Sequence, residues 1–215
     1  MEDLERELLL ISKGDELAFN SFMNRYSKRL YYHAFGILSN KEMAEEVVGD
    51  VFFEVWKLRK TLLEIASMLS WLNTIVYRKS ISYLRKEAKG NQEISFEELQ
   101  DFSFPDMQTP MDDMLSREEI RCLNEAINSL PPKCKHVFFL AKLEQMPYAE
   151  IAHMLQISLP TVNYHIGYAM NALRKRLVNG GLEKNSTKRK KIEFKPIDKS
   201  NLCVFIIRRE LLMRR

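Results

Sequence analysis

Cysteine and histidine are too sparse in this chain of 215 residues to indicate a disulfide framework or a metal centre. The three cysteines, Cys122, Cys134 and Cys203, are widely spaced, and none belongs to a Cys-x-x-Cys pair or has a histidine at zinc-ligand spacing. The four histidines stand singly in separate segments. We therefore expect reduced thiols, no metal and no cofactor. We also expect that the chain is not an enzyme, since a nuclease or recombinase needs carboxylates or histidines that converge on a metal.

Long apolar runs and a signal peptide are also missing. The N-terminus lacks the basic-then-apolar order of a secretion signal, and the longest apolar run near the C-terminus, 202–207, has only six residues. We expect a cytoplasmic protein without membrane insertion. The formal charge of +4 is uneven, because residues 183–215 carry 11 Lys/Arg and 4 Asp/Glu. Such a basic tail is typical of a solvated chain end that adds non-specific attraction to DNA.

Strand-like alternation of apolar and polar residues is weak, apart from the patch 202–207, and helical periodicity dominates. We therefore predict an all-α fold made of two small helical domains. Between Lys89 and Arg117 the chain has seven acidic residues and no basic one, which predicts an acidic linker between these domains. The predicted boundaries are 1–90 for the N-terminal domain, 91–112 for the linker, 113–180 for the C-terminal domain and 181–215 for the basic tail.

Local signals predict where the N-terminal helices begin and end. Asp15 is a suitable N-cap for a first long helix. Ser39 and Glu42 have the spacing of a capping box, which predicts that Ser39 caps the second helix. A third helix is expected to start after Ser67 and to end at Gly90.

The segment 148–167 fits two short helices joined by a tight turn, as in a helix-turn-helix. Ser158 is predicted to cap the second helix, which would begin near Leu159 and use its exposed face to read DNA bases. An ordinary helical hairpin is the alternative, and Gln156 stands where such a turn often has glycine in a left-handed conformation. The candidate DNA-binding residues of this helix are Ser158, Leu159, Thr161, Asn163, Tyr164, His165 and Arg174.

Two other helices carry side chains that their apolar stripes do not explain. The second helix has acidic and aromatic residues that suit a partner with a basic surface, although they equally fit a solvated face with aromatics completing the core. The third helix interleaves aromatic rings with cations, which suits single-stranded or melted nucleic acid. The candidates are Glu46, Asp50, Phe53, Glu54 and Trp56 on the second helix, and Trp71, Tyr77, Arg78, Lys79, Arg85 and Lys86 on the third.

Four blocks of this sequence jointly resemble the extracytoplasmic-function sigma factors of the sigma-70 family. They are the run Ala44 to Trp56, the run Trp71 to Arg85, the pair Leu130-Pro131, and the helix-turn-helix with its extension to Arg174. The resemblance implies a sigma-two domain at 1–90 and a sigma-four domain at about 113–180. Gly49, Arg78 and Ser82 depart from the residues that are frequent in this family.

The resemblance also implies a role for each of these helices. The helix matching 41–59 would dock on core RNA polymerase, the helix matching 68–89 would contact and help open the minus-ten promoter element, and the helix matching 159–173 would read the minus-thirty-five element. RNA polymerase core and promoter DNA are thus the expected partners, and family members are often held by an anti-sigma protein. The alternative function is a polymerase-independent helix-turn-helix regulator, although the sequence has no heptad seam for a dimer.

Overall fold

The structure, a computed structural model, describes residues 2–87, 96, 101–104 and 117–179. All regular secondary structure in these residues is helical, which confirms the predicted all-α fold. The chain divides into two units, Met1–Ser103 and Phe104–Arg215. No helix among the described residues is long and apolar enough to cross a membrane. The patch 202–207, Gly90 and the basic tail lie outside the described residues.

Unit 1 is built on three long amphipathic helices with a shorter one before them. The helices are α1 (Glu2–Ser12), α2 (Glu16–Leu38), α3 (Lys41–Lys57) and α4 (Met68–Glu87), and a 3₁₀ turn (Leu62–Glu64) lies between α3 and α4. Their apolar stripes face one another, so that Phe22 of α2, Val51 of α3 and Leu72 of α4 are all completely buried in one core. This core fixes which faces of α3 and α4 remain at the surface.

The caps of α2 and α3 agree with the sequence signals at one position and differ at another. The Asp15 side chain accepts a hydrogen bond from the Ala18 N–H, so the predicted start of α2 is confirmed. The predicted capping box is wrong, because Asn40, not Ser39, accepts the Met43 N–H at 3.0 Å. Ser39 instead ends α2 in a left-handed conformation with φ 50°. Two residues therefore join these helices, with Ser39 ending α2 and Asn40 capping α3.

A buried polar pair joins α2 and α4 within the core of unit 1. His33 Nδ1 lies 2.7 Å from Asn73 Oδ1, and both side chains have no exposed surface. The Asn73 Nδ2 group donates to the Leu69 carbonyl, so its Oδ1 is left to accept the His33 Nδ1–H. Burial lowers the pKa of His33 to about 4, although the hydrogen bond to Asn73 raises it. His33 is therefore neutral at pH 7.

Part of the segment that was predicted to be a linker packs against the units as apolar core. Phe102 is fully buried in unit 1, against α2, where a Cβ on Gly36 would come within 2.7 Å of its ring. The Ser103 N–H donates to the Gly36 carbonyl at 2.8 Å. In unit 2, the Phe104 ring packs on those of Phe138 and Phe139, at centroid distances of 6.2 and 6.0 Å. Residues 102–104 thus belong to the two cores despite their acidic surroundings in the sequence.

The described residues of unit 2 form short helices followed by one long helix. They are α5 (Arg117–Asn128), α6 (Pro132–Phe138), which continues into a π-helical turn (Phe139–Leu143), α7 (Tyr148–Leu155) and α8 (Leu159–Asn179). The inner face of α8 carries Val162, Ala169 and Leu173, all fully buried. Packing on α5, α6 and α7 therefore holds one side of α8 and leaves the other side at the surface.

Candidate partner and nucleic-acid interfaces

The turn between α7 and α8 has the geometry of a helix-turn-helix. Gln156 adopts the left-handed conformation with φ 56° and ψ 39°, at a position where glycine would be unstrained. The Ile157 N–H returns to the Ala152 carbonyl at 3.0 Å and satisfies the end of α7. The helix α8 begins at Leu159, as the sequence predicts. The hairpin is thus closed by backbone hydrogen bonds, in spite of a strained residue at the turn.

The exposed side of α8 carries a short row of large side chains. Leu159 is exposed, and Tyr164 is 65% exposed. Tyr168 is also exposed one turn later, with its ring 6.4 Å from that of Tyr164. Tyr168 is not among the candidates from the sequence, although its spacing of four residues from Tyr164 places both on one face of a helix. This row is an accessible surface that α8 offers to a partner.

The small polar candidates at the start of α8 already have partners within the helix. Ser158 Oγ accepts the Thr161 N–H at 3.2 Å, as expected of an N-cap, and lies 2.7 Å from Thr161 Oγ1. Asn163 Nδ2 donates to the Leu159 carbonyl at 3.1 Å. One N–H of the Asn163 amide is therefore occupied within the helix, whereas Tyr164 is 65% exposed.

The structure places His165 inside unit 2, so the expectation that it faces away from the core is wrong. His165 is only 8% exposed, and its Nδ1 lies 3.3 Å from the Cys134 Sγ on α6. Burial raises the pKa of the Cys134 thiol, which keeps this cysteine protonated. Arg174, near the end of the helix, is half-buried. Among the described residues, no group of His, Cys, Asp and Glu side chains could hold a metal ion.

The surface of α3 combines acidic groups with one prominent aromatic ring. Glu46 and Asp50 are exposed, and Phe53 is 65% exposed. Trp56 is half-buried, with its ring 4.8 Å from that of Phe19 on α2. A groove runs beside Phe53 between α2 and α3, and a Cβ on Gly49 would meet no atom within 4 Å there. The acidic side chains of α3 therefore lie at the surface, whereas the Trp56 ring packs partly against the core.

On α4, three of the predicted cationic side chains are exposed, but one predicted aromatic side chain is buried. Arg78, Arg85 and Lys86 are exposed, in agreement with a role at a phosphate backbone. Tyr77 is 8% exposed and burial raises its pKa, so the expectation that it offers a stacking surface is wrong. Trp71 is half-buried and packs against the core. The remaining aromatic candidates for stacking on this helix are thus only partly accessible.

The acidic face of α3 and the basic face of α4 meet in one cluster of side chains. Lys79 Nζ lies 3.1 Å from Glu54 Oε2 and 3.9 Å from Asp50 Oδ2. The Tyr83 hydroxyl donates to Asp50 Oδ2 at 3.3 Å, and Lys86 lies over the Tyr83 ring at 5.3 Å from its centroid. Burial, followed by the charges of Asp50 and Glu46, raises the pKa of Tyr83. Two predicted polymerase-binding acids are therefore paired with a predicted DNA-binding lysine.

Comparison with known families assigns both units. A model of sigma-70 region 2 matches residues 22–90, and a model of sigma-70 region 4 matches residues 120–173. Together these two matches span more than half of the chain. The chain belongs to the sigma-70 family. The region 2 match includes all of α3 and α4, and the region 4 match includes α7 and most of α8.

Curated relatives narrow the family to the extracytoplasmic-function (ECF) group. The chain is 27% identical over 177 residues to the "ECF RNA polymerase sigma factor SigK" of Mycolicibacterium vanbaalenii, with 81% of this chain and 89% of the relative covered. It is 24% identical over 173 residues to the "ECF RNA polymerase sigma-E factor" of Haemophilus influenzae, with 78% and 91% covered. The protein is an RNA polymerase sigma factor of this group.

Two solved structures also align with the chain. CnrH, solved in complex with the cytosolic domain of CnrY, aligns with a TM-score of 0.48 at 19% identity, and 85% of this chain and 98% of CnrH are covered. The sigma factor RpoE of Bartonella quintana, solved with the anti-sigma factor NepR, aligns with a TM-score of 0.49 at 18% identity, covering 83% and 98%.

Proposed function

We propose that this sigma factor divides promoter opening among three helices. The acidic face of α3 docks on core RNA polymerase, the cations of α4 hold the opened strand of the minus-ten element, and the exposed face of α8 reads the minus-thirty-five element as duplex. The observation that carries the proposal is the surface of unit 1, where an acidic, aromatic face and a basic face lie on neighbouring helices within the region 2 match.

The docking role of α3 rests on its charge and on Phe53. An aromatic ring that is 65% exposed among Glu46 and Asp50 is unlike a merely solvated helix face. A partner with a basic surface and an apolar patch would bury this ring and neutralise the acids, and a buried aromatic anchor commonly dominates such an interface. Trp56 contributes its exposed edge, because its inner face already packs on Phe19.

The role of α4 rests on phosphate contacts more than on base stacking. Arg78, Arg85 and Lys86 supply three exposed cations along two turns of one helix. Tyr83 is half-buried beside Lys86 and can offer a ring edge to an unpaired base. Tyr77 has no part in this contact because it is buried. We therefore expect this surface to hold an opened strand mainly through its backbone.

The reading role of α8 rests on its first turns. We assign base-edge contacts to Leu159, Asn163 and Tyr164, where an apolar contact or a hydrogen bond can distinguish base pairs. Ser158 and Thr161 are assigned to the cap and to the adjacent phosphates, and Arg174 to the phosphate backbone. His165 is excluded from the assignment by its burial.

The protein would carry out no bond chemistry itself and would act in the cytoplasm, where the polymerase and the chromosome are. An anti-sigma protein is a further proposed partner, which family membership suggests and which would compete with polymerase for the exposed faces of the sigma factor.

Run-off transcription tests this function directly. Purified core RNA polymerase is supplied with fragmented genomic DNA, with and without the full-length chain, and the start sites are sequenced. New discrete start sites that require the chain are expected. With the Phe53→Ala variant, transcription from these start sites should be reduced when the sigma factor is limiting and restored when it is in excess. The substitution weakens docking without changing the DNA-binding helices. Duplex binding by the chain alone, with no new start sites, would instead favour a polymerase-independent regulator.

A further inference from the structure

Lys79 belongs to the basic series of α4 by its position in the sequence but contacts the acids of α3 in the structure. Its side chain is 26% exposed, while the neighbouring Arg78 is exposed to solvent. The ammonium group lies between Glu54, at 3.1 Å, and Asp50, at 3.9 Å. The same lysine is thus within reach of both proposed binding faces.

We propose that Lys79 changes binding partners when polymerase binds. In the free sigma factor it neutralises Glu54 and Asp50, and in the holoenzyme a cation of the polymerase replaces it on these acids. The released ammonium then joins Arg78 and Lys86 in binding the phosphates of the opened strand. This inference rests on the proposed roles of α3 and α4, and it deepens them by coupling one face to the other.

The exchange costs little free energy because the existing ion pairs of Lys79 with Glu54 and Asp50 are weak. Glu54 and Asp50 expose 41% and 49% of their side chains, and ion pairs of such exposed carboxylates contribute little to stability. A lysine stem has four rotatable bonds, so its ammonium can swing away while the backbone of α4 stays in place. A partner cation that approaches Glu54 therefore meets a competitor that it can displace.

Repulsion within α4 favours the binding of the released Lys79 ammonium to phosphate. Once Glu54 is occupied by a partner, the Lys79 ammonium lies near the cations of its own helix, and this mutual repulsion is relieved when DNA phosphates approach. The Tyr83 hydroxyl still holds Asp50 Oδ2, at 3.3 Å, so the acidic side of the cluster stays in place during the exchange. Because coupling is reciprocal, DNA bound at α4 should also strengthen polymerase binding at α3.

Lysine acylation footprinting of the wild-type protein tests the release step. The full chain is labelled with an amine-reactive reagent, alone and in complex with core polymerase but without DNA, and each lysine is quantified by mass spectrometry. We expect Lys79 to react faster in the holoenzyme than in the free chain, while Lys57, on the docking helix α3, becomes protected. Unchanged or slower labelling of Lys79 in the holoenzyme would overturn the exchange.

The salt dependence of strand binding tests the capture step. A short single-stranded thymidine oligonucleotide is titrated at several salt concentrations into the free chain and the holoenzyme, for the wild type, Lys79→Met and the matched control Arg78→Met. Each phosphate contact that is lost makes the negative slope of log affinity against log salt shallower by about 0.7. We expect Lys79→Met to make the slope shallower in the holoenzyme only, and Arg78→Met to do so in both states.

The Arg78→Met control separates the Lys79 exchange from the phosphate-binding role of α4. A slope that Lys79→Met changes equally in both states, or in neither, overturns the exchange, even if Arg78→Met behaves as expected. A slope that Arg78→Met changes in neither state overturns the phosphate-binding role of α4 itself, and the exchange with it.

Discussion

Acidification from pH 7 to pH 5 is expected to destabilise unit 1 through one buried histidine. His33 has a pKa of about 4 in the folded protein, against an ordinary value of 6.5. In the unfolded chain it takes up a proton as the pH falls through 6.5, whereas in the folded protein it stays neutral until about pH 4. The unfolded state therefore binds more protons in this window, and stability decreases as the pH falls.

The size of this effect follows from the difference between the two pKa values. One pKa unit corresponds to about 1.4 kcal/mol, so the full cost is about 3 kcal/mol once the pH is below both values. At pH 5 the linkage relation gives a cost of about 2 kcal/mol, which is a large part of the stability of a small domain. The cost arises because a protonated His33 would be a charge with no solvent access between α2 and α4.

The assay uses a natural reporter of unit 1. Both tryptophans of the chain, Trp56 and Trp71, lie in this unit, so their fluorescence during urea unfolding follows unit 1 and not unit 2. The matched control is His33→Gln, which keeps a hydrogen-bond donor for Asn73 Oδ1 but cannot titrate. Surface carboxylates titrate alike in both proteins, so the difference in unfolding free energy between wild type and variant isolates His33.

Between pH 7 and pH 5 we expect the wild type to lose about 2 kcal/mol more unfolding free energy than His33→Gln does. A difference that stays constant over this range would refute the reasoning, because it would show that His33 has a similar pKa in both states. An NMR titration of the His33 ring gives a second check, and a folded-state pKa near 6.5 would have the same meaning.

Three further predictions concern single positions. Gly36→Ala should destabilise unit 1 by about 1–3 kcal/mol in urea unfolding, because the new Cβ overlaps the Phe102 ring, whereas Gly49→Ala, in open space on another helix, should stabilise it by about 0.5–1 kcal/mol. Equal effects would contradict the packing of Phe102. Asn40→Ala should cost about 1 kcal/mol in the same assay through loss of the cap on α3, and no loss would show that the cap is elsewhere. In binding assays with holoenzyme, Tyr164→Ala should reduce discrimination between promoters, whereas Arg174→Ala should weaken binding to all of them alike; identical patterns would mean that the reading face is misplaced.

The helices and their inner stripes could be predicted from the sequence because burial imposes a period of 3.6 residues. The same period explains the errors. Each residue advances by about 100° around the helix, so a position beside the stripe can turn either way. Tyr77 follows Val76, and His165 precedes Ile166, and in both cases tertiary packing widened the buried stripe to include the neighbour. Sequence periodicity alone does not contain the information that decides such flanking positions.

The linker shows a different limit of prediction. Its carboxylates and prolines dominated the interpretation of 91–112, but three phenylalanines within it, Phe96, Phe102 and Phe104, are buried. A composition that is acidic on average can still carry isolated apolar anchors, and the space for Phe102 depends on the missing side chain of Gly36, more than sixty residues earlier in the chain. The packing of Phe102 on Gly36 is non-local, so no local sequence pattern reveals it. An aromatic residue in an acidic linker nevertheless indicates that this position is buried.

The cluster around Lys79 determines how mutations in unit 1 have to be interpreted. A change at Asp50 or Glu54 alters the acidic face and at the same time releases a cation on α4, so loss of polymerase binding and gain of DNA binding are expected to occur together. The free-energy effects of mutations at residues that share such a network do not add. Only a double-mutant cycle, for example Glu54→Gln with Lys79→Met, separates the two contributions. Changes on α8 lie in the other unit. Their effects should add to those in unit 1, and a large coupling energy between Tyr164 and Glu54 in the holoenzyme would contradict this independence.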